Sequence, residues 1–171
     1  MSQIASFYVL PAHLVEELIA ATIPQSIVHE KRVFGLFTVK TTEQKDVFWD
    51  YLWSIAKESA NFEYSGSVFC ELDLFLEEKH TMLFDLALQE PSERLCSARS
   101  MALFDSAAAQ KVIGMLERVD FSAESIRRYV ESEESSWTPE ELTEPLQAAV
   151  ALTKTWMKDV GAAEVGLLTV G

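Results

Sequence analysis

The sequence predicts an α+β fold, a helix-rich single domain in which a small mixed sheet joins the N- and C-terminal strands. A short aromatic and β-branched run lies at residues 6–10, and an apolar run lies at residues 164–170. Between these runs, apolar residues recur mainly at helical spacing. Because strands at both ends tie down the termini and 171 residues suit one domain, we expect residues 1–171 to form one complete globular unit.

The first part of the chain alternates between strand and helix patterns. The strand at 6–10 ends at Pro11, which opens a helix whose inner face includes Leu18. A second strand is predicted at 33–39, where Gly35 indicates a bulge or a close approach of two backbones.

The next helix, predicted at 43–60, carries apolar side chains in two neighbouring stripes. A face this wide predicts packing against elements on two sides. A further helix is predicted at 67–79, and residues 80–88 suit either a buried strand or a loop that fills the core. The two stripes consist of Phe48, Leu52 and Ile55, and of Trp49, Trp53 and Ala56.

The second half begins with residues 90–100, which contain a proline and no clean period and are interpreted as a loop. A brief strand at 101–104 precedes Asp105, which is a favourable N-cap for the helix that follows. A short helix from Ser122 then leads into an acidic, serine-rich linker at 131–136.

The long terminal helix has the clearest boundaries in the sequence. Thr138 is a suitable N-cap, Pro139 suits the first turn, and Glu141 completes a capping box. Gly161 ends the helix, and the strand at 164–170 follows it.

The strongest global constraint is charge, because 27 acidic residues face 14 lysines and arginines and give a formal net charge of −13. Such a surface repels phosphate backbones and anionic lipid, so we expect neither nucleic acid nor membrane as a partner. A basic protein is the partner that this charge suits, and solubility alone is the alternative reason for it. No apolar run approaches the roughly 20 residues that span a bilayer.

The N-terminus lacks the charged and apolar regions of a signal peptide, which predicts a cytoplasmic protein. Cys70 and Cys96 are far apart in sequence, and each adjoins an apolar residue. In a reducing compartment we expect two reduced and mostly buried thiols.

Two stretches of the chain resemble the YfbM-like family of bacterial proteins. The first is the opening strand Met1-Ser2-x-Ile4-x-x-Phe7 with Pro11-x-x-Leu14 and the Leu18 helix, and the second is the order of a helix at 107–118, a short helix at 122–129, an acidic linker, a capped long helix and a final strand. The resemblance covers somewhat more than half of the chain and implies an α+β fold and a cytoplasmic bacterial protein. A looser similarity of style links the chain to immunity proteins of bacterial toxin systems.

Recognisable catalytic and cofactor motifs are missing from the sequence, which favours a non-enzymatic protein without cofactor or metal. His13, His29 and His80 stand at no metal-ligand spacing from one another or from a cysteine. No nucleophile elbow or glycine-rich phosphate loop occurs, and the turn at residues 65–67 is interpreted as a helix junction.

The leading hypothesis is an interaction module, immunity-like or regulatory, that binds a basic protein through the acidic linker. Glu131, Glu133 and Glu134 supply the carboxylates, and Trp137 supplies an aromatic contact. The alternative is a solvated linker with Trp137 tucked in as a hydrophobic staple beside the Thr138 cap.

A second hypothesis places a small-molecule or hydrolase-type pocket beside Trp49, Trp53, Tyr64 and His80. Its alternative is that these aromatic residues belong to the core, as stripes at helical spacing usually do. The sequence leaves open whether the protein is a monomer or a homodimer.

Overall fold

The computed structural model describes residues 4–33, 37–96, 101–132 and 136–171. The strands are β1 (Ala5–Pro11), β2 (Gln25–Val33), β3 (Phe37–Lys45), β4 (Lys57–Glu58), β5 (Met101–Asp105) and β6 (Glu164–Val170). The helices are α1 (Val15–Ala20), α2 (Phe48–Ile55), α3 (Ser67–Glu78), α4 (Gln89–Cys96), α5 (Ser106–Leu116), α6 (Ala123–Ser132) and α7 (Pro139–Lys158).

A four-stranded sheet in the order β4-β1-β6-β5 confirms the predicted α+β class. As predicted, it joins the two terminal strands: β1 pairs with β6 from Ala5↔Val170 to Pro11↔Glu164. Every pairing in this sheet is antiparallel, which corrects the expectation of a mixed sheet. Strand direction depends on the path of the intervening helices, and the strand residues themselves do not encode that path.

The sheet has a core cluster on each face because side chains alternate along its strands. On the first face, Phe7 of β1 and Phe104 of β5 pack with residues of α3, α5, α6 and α7. On the second face, Leu10 of β1 and Leu103 of β5 pack with residues of α1, α2 and α4. The fold is therefore a sheet between two unequal helical layers.

An aromatic stack crosses the first layer. The Trp156 ring of α7 lies between the rings of Phe7 and Phe69, with centroid distances of 5.3 Å on both sides. The Trp156 Nε1–H donates a hydrogen bond to the Ala60 carbonyl at 2.8 Å. Gly166 of β6 lies directly beneath Phe7, and a Cβ atom there would overlap the Phe7 ring.

Helix caps follow the sequence predictions closely. The Asp105 carboxylate accepts a hydrogen bond from the Ala108 amide at 2.7 Å and begins α5. Thr138 Oγ1 accepts from the Glu141 amide at 3.3 Å, while the Glu141 carboxylate accepts from the Thr138 amide at 3.1 Å. These reciprocal bonds confirm the capping box of α7, and the bonds from Thr138 lower the pKa of Glu141.

The predicted strand at 33–39 is instead the end of one strand and the start of another. β2 and β3 form an antiparallel hairpin from Gln25↔Lys45 to Val33↔Phe37. Gly35 lies outside the described residues. Because β3 extends to Lys45 and β4 begins at Lys57, the helix predicted at 43–60 is shortened at both ends to α2.

Local hydrogen bonding accounts for this late start of α2. The Asp46 carboxylate accepts from the Phe48 amide at 3.0 Å, which turns the chain from β3 into the helix. The polar residues between Lys40 and Lys45 fit the exposed hairpin as readily as an exposed helix face.

Residues 90–100 contain a helix where a loop was predicted. α4 buries Ser92 and Leu95, and Ser92 Oγ accepts a hydrogen bond from the Leu103 amide of β5 at 2.9 Å. Because a polar serine occupies a buried position, the helical spacing of apolar residues cannot be recognised in the sequence of this segment. Pro91 lies in the first turn, where a missing amide hydrogen costs little.

The segment at 80–88 follows the loop alternative and fills the core with Leu83, which is fully buried. The Asp73 carboxylate accepts a hydrogen bond from the Leu83 amide at 2.7 Å and holds the loop against α3. Burial raises the pKa of Asp73, and the backbone hydrogen bonds oppose that shift.

The contact between Gly166 and Phe7 predicts a large difference between two glycine-to-alanine variants. Gly166→Ala lowers the free energy of unfolding by about 2 kcal/mol or more, because the added methyl displaces the aromatic stack. Gly114→Ala in α5 meets no atom within 4 Å and stabilises by about 0.5–1 kcal/mol. Urea unfolding of both variants measures the contrast, and equal effects would contradict it.

The Asp73 bond predicts a contrast between alanine and asparagine. Asp73→Ala lowers the free energy of unfolding by about 1–3 kcal/mol because the Leu83 amide loses its acceptor. Asp73→Asn keeps an acceptor oxygen and removes the partly buried charge, so it is at least as stable as wild type at pH 7.

The same pair has a pH dependence of defined sign. Folding raises the pKa of Asp73, so the folded protein binds the Asp73 proton more tightly than the unfolded chain does. The stabilisation that results is complete below the ordinary carboxyl pKa and is lost as pH rises through the raised pKa. The free energy of unfolding of Asp73→Asn, relative to that of wild type, therefore increases as pH rises through this range. Urea unfolding of both proteins at several pH values measures the difference. A relative decrease would contradict the argument.

Candidate functional site

A cleft bordered by two tryptophans opens on the second face of the sheet. Trp49 and Trp53 lie one turn apart on α2, and their ring centroids are 6.0 Å apart. The cleft has a volume of about 500 Å³. Its other lining residues come from the ends of β1, β5 and β6: Ile4, Ser6, Tyr8, Met101, Thr169, Val170 and Gly171. We call it the tryptophan cleft.

Exposure of the two rings bears on the alternative that they belong to the core. The Trp53 side chain is 61 % exposed, whereas Trp49 is half-buried and packs edge-on against the buried ring of Phe48 at 5.2 Å. The helix buries the stripe of Phe48 and Leu52 and leaves the neighbouring stripe at the mouth of the cleft. Trp53 is therefore a surface residue.

The chemistry of the tryptophan cleft favours binding over proton transfer. Among its described lining residues, hydroxyl groups are contributed by Ser6, Tyr8 and Thr169, and no side chain carries a carboxylate, imidazole, amine or thiol. Thr169 Oγ1 contacts the Ser6 carbonyl at 3.5 Å. An aromatic wall with few polar groups suits an apolar or aromatic ligand.

The structure does not bring Tyr64 and His80 to this cleft. The Tyr64 ring packs against Phe62 at 5.5 Å, and Phe62 packs against Phe69 of the first-face core at 4.9 Å. His80 directly follows α3, is exposed, and takes a left-handed conformation with φ 59°. Its amide donates to the Glu77 carbonyl at 2.8 Å, so its position ends the helix.

Tyr64 belongs instead to a group of carboxylates beside the start of α7. Its hydroxyl donates a hydrogen bond to Glu144 Oε1 at 2.9 Å, which raises the pKa of Tyr64, and the charge of Glu63 adds to the shift. Glu140 lies one turn before Glu144 and shares its helix face. We call Glu63, Tyr64, Glu140 and Glu144 the acidic patch.

The acidic patch is exposed and lacks internal neutralisation. The side chains of all four residues reach solvent, with Tyr64 37 % exposed. Within the described ranges, no lysine or arginine forms an ion pair with Glu63, Glu140 or Glu144. Sequence reasoning missed this group, although the spacing of Glu140 and Glu144 by four residues was a visible signal.

The acidic linker predicted as a docking segment is described only in part. Glu131 is exposed near the end of α6, while Glu133 and Glu134 lie outside the described residues. Trp137 is half-buried and packs against the core cluster that contains Leu142. This position is the one that a hydrophobic staple before α7 occupies.

The remaining chemical candidates are simple to place. Cys70 is exposed on α3, which corrects the expectation of a buried thiol; partial burial, with the charges of Glu71 and Asp73, raises its pKa. The side chain of Cys96 lies outside the described part of the structure. Among the residues that the structure describes, no three metal-binding side chains cluster, and no helix is long and apolar enough to cross a membrane.

Comparison of this chain with protein-family profiles, with curated proteins and with solved structures finds no match. The resemblance to the YfbM-like family therefore stays a prediction. The case for function depends on the surface of the molecule itself.

Proposed function

We propose that this protein is a non-enzymatic interaction module that binds a basic partner protein through the acidic patch. The observation that supports the proposal is the exposed Tyr64 ring, held by Glu144 beside carboxylates that no described cation neutralises. The net charge of −13 extends the same negative field over the molecule and accelerates the encounter with a basic surface.

The partner chemistry that suits this patch is an arginine-bearing surface. A guanidinium group binds a carboxylate through two parallel hydrogen bonds and also stacks on an aromatic ring. Glu144 and the Tyr64 ring present both features side by side. Lysine would gain the charge interaction but less of the directional contact.

Two residues of the patch, Tyr64 and Glu144, are held in place before any partner binds. Tyr64 contacts Phe62, which is half-buried against Phe69, and its hydroxyl is fixed by Glu144. Glu144 is itself part of α7, whose start is fixed by the capping box. Side chains that are ordered in the free protein lose little entropy on binding. This arrangement fits an immunity-like or regulatory protein. Such a protein would bind over the basic surface of its partner and prevent anionic ligands from reaching that surface.

Charge neutralisation tests the proposal, with a control matched in charge. The triple variant Glu63→Gln, Glu140→Gln and Glu144→Gln is compared with Asp85→Asn, Glu93→Gln and Glu117→Gln, which are exposed and lie outside the patch. Each protein is used to capture partners from lysate of its own host, and affinity for the captured basic protein is then measured at low and high salt.

We expect the patch variant to bind that basic protein about tenfold or more weakly, which corresponds to about 1.4 kcal/mol. The control variant keeps most of the affinity, and high salt weakens binding by wild type. An equal loss of affinity in the two variants would show that net charge alone controls binding. Unchanged affinity of the patch variant would refute the acidic patch as the binding site.

The tryptophan cleft supports a second candidate function, the binding of a small apolar ligand. The volume of about 500 Å³ and the two aromatic rings at its mouth favour it. Here the protein would act as a small-molecule-binding protein, and no described lining residue supplies an acid or base for hydrolysis.

Indole N–H signals in a ¹⁵N-correlated NMR spectrum test this second function. Titration with benzyl alcohol or cyclohexanol shifts the signals of Trp49 and Trp53, and the buried Trp156 serves as an internal control because its N–H is bonded to Ala60. Trp53→Ala weakens the response of Trp49. Absence of a saturable shift at Trp49 and Trp53 would exclude the cleft as a site for such ligands.

A further inference from the structure

A second, larger cleft lies at the opposite end of α3 from the acidic patch. It has a volume of about 900 Å³ and is formed by the C-terminal ends of α3 and α5, with residues that lead into α6. Three cationic side chains line it, those of Lys79, Lys111 and Arg118. We call it the basic cleft. Tyr64 precedes α3 and Lys79 follows it, so the length of a 12-residue helix, about 18 Å, separates the two surfaces.

The grouping of cations is unexpected in a chain with 27 acidic and 14 basic side chains. Lys111 and Arg118 form no ion pair with any residue in the described ranges, although acidic side chains outnumber basic ones in the chain. The Lys79 ammonium lies 3.1 Å from a Glu78 oxygen and 5.3 Å from the Phe75 ring centroid.

Asp120 is the one carboxylate among the described lining residues, and its oxygens are already bonded. They accept from the Ser122 amide at 2.9 Å and the Ser122 hydroxyl at 3.0 Å. Three cations and one carboxylate give the lining a formal charge of +2, and the Glu78 carboxylate that pairs with Lys79 lowers the local balance to +1. A local positive potential therefore remains inside a molecule that is negative overall.

Gly114 makes the floor of the basic cleft open. It lies within α5, three residues after Lys111 and on the same helix face, and Arg118 lies in the turn that directly follows the helix. A Cβ atom at Gly114 would meet nothing within 4 Å, so packing does not require a glycine. Glycine in a helix interior lowers stability by about 0.5–1 kcal/mol relative to alanine. Space for a ligand above Gly114 would account for the presence of glycine at this position.

The other lining groups define the rest of a ligand. Gln110, Thr81 and Ser125 supply neutral hydrogen-bond donors, whereas Leu86, Met115 and Val119 supply an apolar wall. Arginine and lysine with such donors are the groups that bind phosphate in proteins. The volume lies in the range of small-molecule sites, which is about 300–1,000 Å³.

We infer that the basic cleft binds a small organic phosphate, with its phosphate group between Lys111 and Arg118 and its apolar portion against Met115 and Val119. A long polyanion is the wrong size and charge for this site. Nucleic acid carries many phosphates past a surface, and the net charge of −13 repels those outside the cleft. A small ligand places its whole charge within the positive region.

Titration with defined probes tests the inference. Phenyl phosphate combines the two features of the proposed ligand, inorganic phosphate carries the charge alone, and phenol carries the ring alone. A single-stranded oligonucleotide tests the polyanion. Binding is measured by isothermal titration calorimetry at low salt and by backbone amide shifts in ¹⁵N-labelled wild-type protein.

Variants of the two unpaired cations are compared with a charge-matched control. Lys111→Ala with Arg118→Ala is set against Lys57→Ala with Lys158→Ala, two exposed lysines that do not line the cleft. Circular dichroism and thermal unfolding establish that both double variants fold. Arg118→Lys, which retains the charge, is a third variant that keeps the fold intact and removes the bidentate geometry.

We expect phenyl phosphate to bind wild type about tenfold more tightly than inorganic phosphate or phenol, and the Lys111/Arg118 double variant to lose about tenfold or more in affinity. The control keeps affinity within about threefold, and Arg118→Lys lies between wild type and the double variant. Amide shifts concentrate at residues 110–119.

Three results with the small probes and the variants would overturn the inference. They are no saturable binding of phenyl phosphate, equal losses in the two double variants, and binding of inorganic phosphate as tight as that of phenyl phosphate. Tighter binding of the oligonucleotide than of phenyl phosphate, lost in the Lys111/Arg118 double variant, would replace a small ligand with a nucleic acid and so also refute it.

Discussion

Trp156 lies between the rings of Phe7 and Phe69, and the rest of the structure depends on this stack. It joins β1 to α7 and α7 to α3, so one side chain connects the sheet with two of the four helices of the first layer. The stack is possible because Gly166 on the neighbouring strand leaves room for the Phe7 ring. A residue without a side chain and three with large rings therefore form a single packing unit, in which no member can change size alone.

The stack also accounts for where the surfaces of interest lie. Phe69 fixes the first half of α3, and the hydrogen bond between Asp73 and Leu83 fixes the loop after it. The acidic patch is thus held at one end of α3 and the basic cleft at the other. The helical layer on the second face of the sheet is smaller. The tryptophan cleft opens beside α2, where this layer no longer covers the ends of β1 and β6.

Charge separation is the reason that we propose different partners for these surfaces. In our proposal, a molecule of net charge −13 with a small positive cleft discriminates between anions by size, because only a compact anion lies within the positive region. The partner that we propose for the acidic patch is, by contrast, a basic protein. The two proposals are compatible, since the acidic patch and the basic cleft share no residue.

Prediction of the candidate sites from sequence succeeded only for residues on one element. Trp49 and Trp53 are four residues apart on one helix, so their proximity follows from the helical period. Tyr64 and His80 flank α3 on the other face of the sheet, and nothing in their local sequence reports that. Lys79 and Lys111 likewise line one cleft from different elements of the fold. Because their proximity depends on tertiary packing, the basic cleft has no sequence motif.

The sequence by itself determined the features that depend on neighbouring residues: the Asp105 cap, the Thr138 capping box, α3 and the terminal strands. Each of these follows from hydrogen bonds or a side-chain period within one segment. Only the tertiary structure decided the β2–β3 hairpin, α4 with its buried Ser92, the antiparallel order of the sheet and the positions of the clefts. These depend on contacts between segments distant in the chain, where the partner of a residue decides its conformation and its exposure.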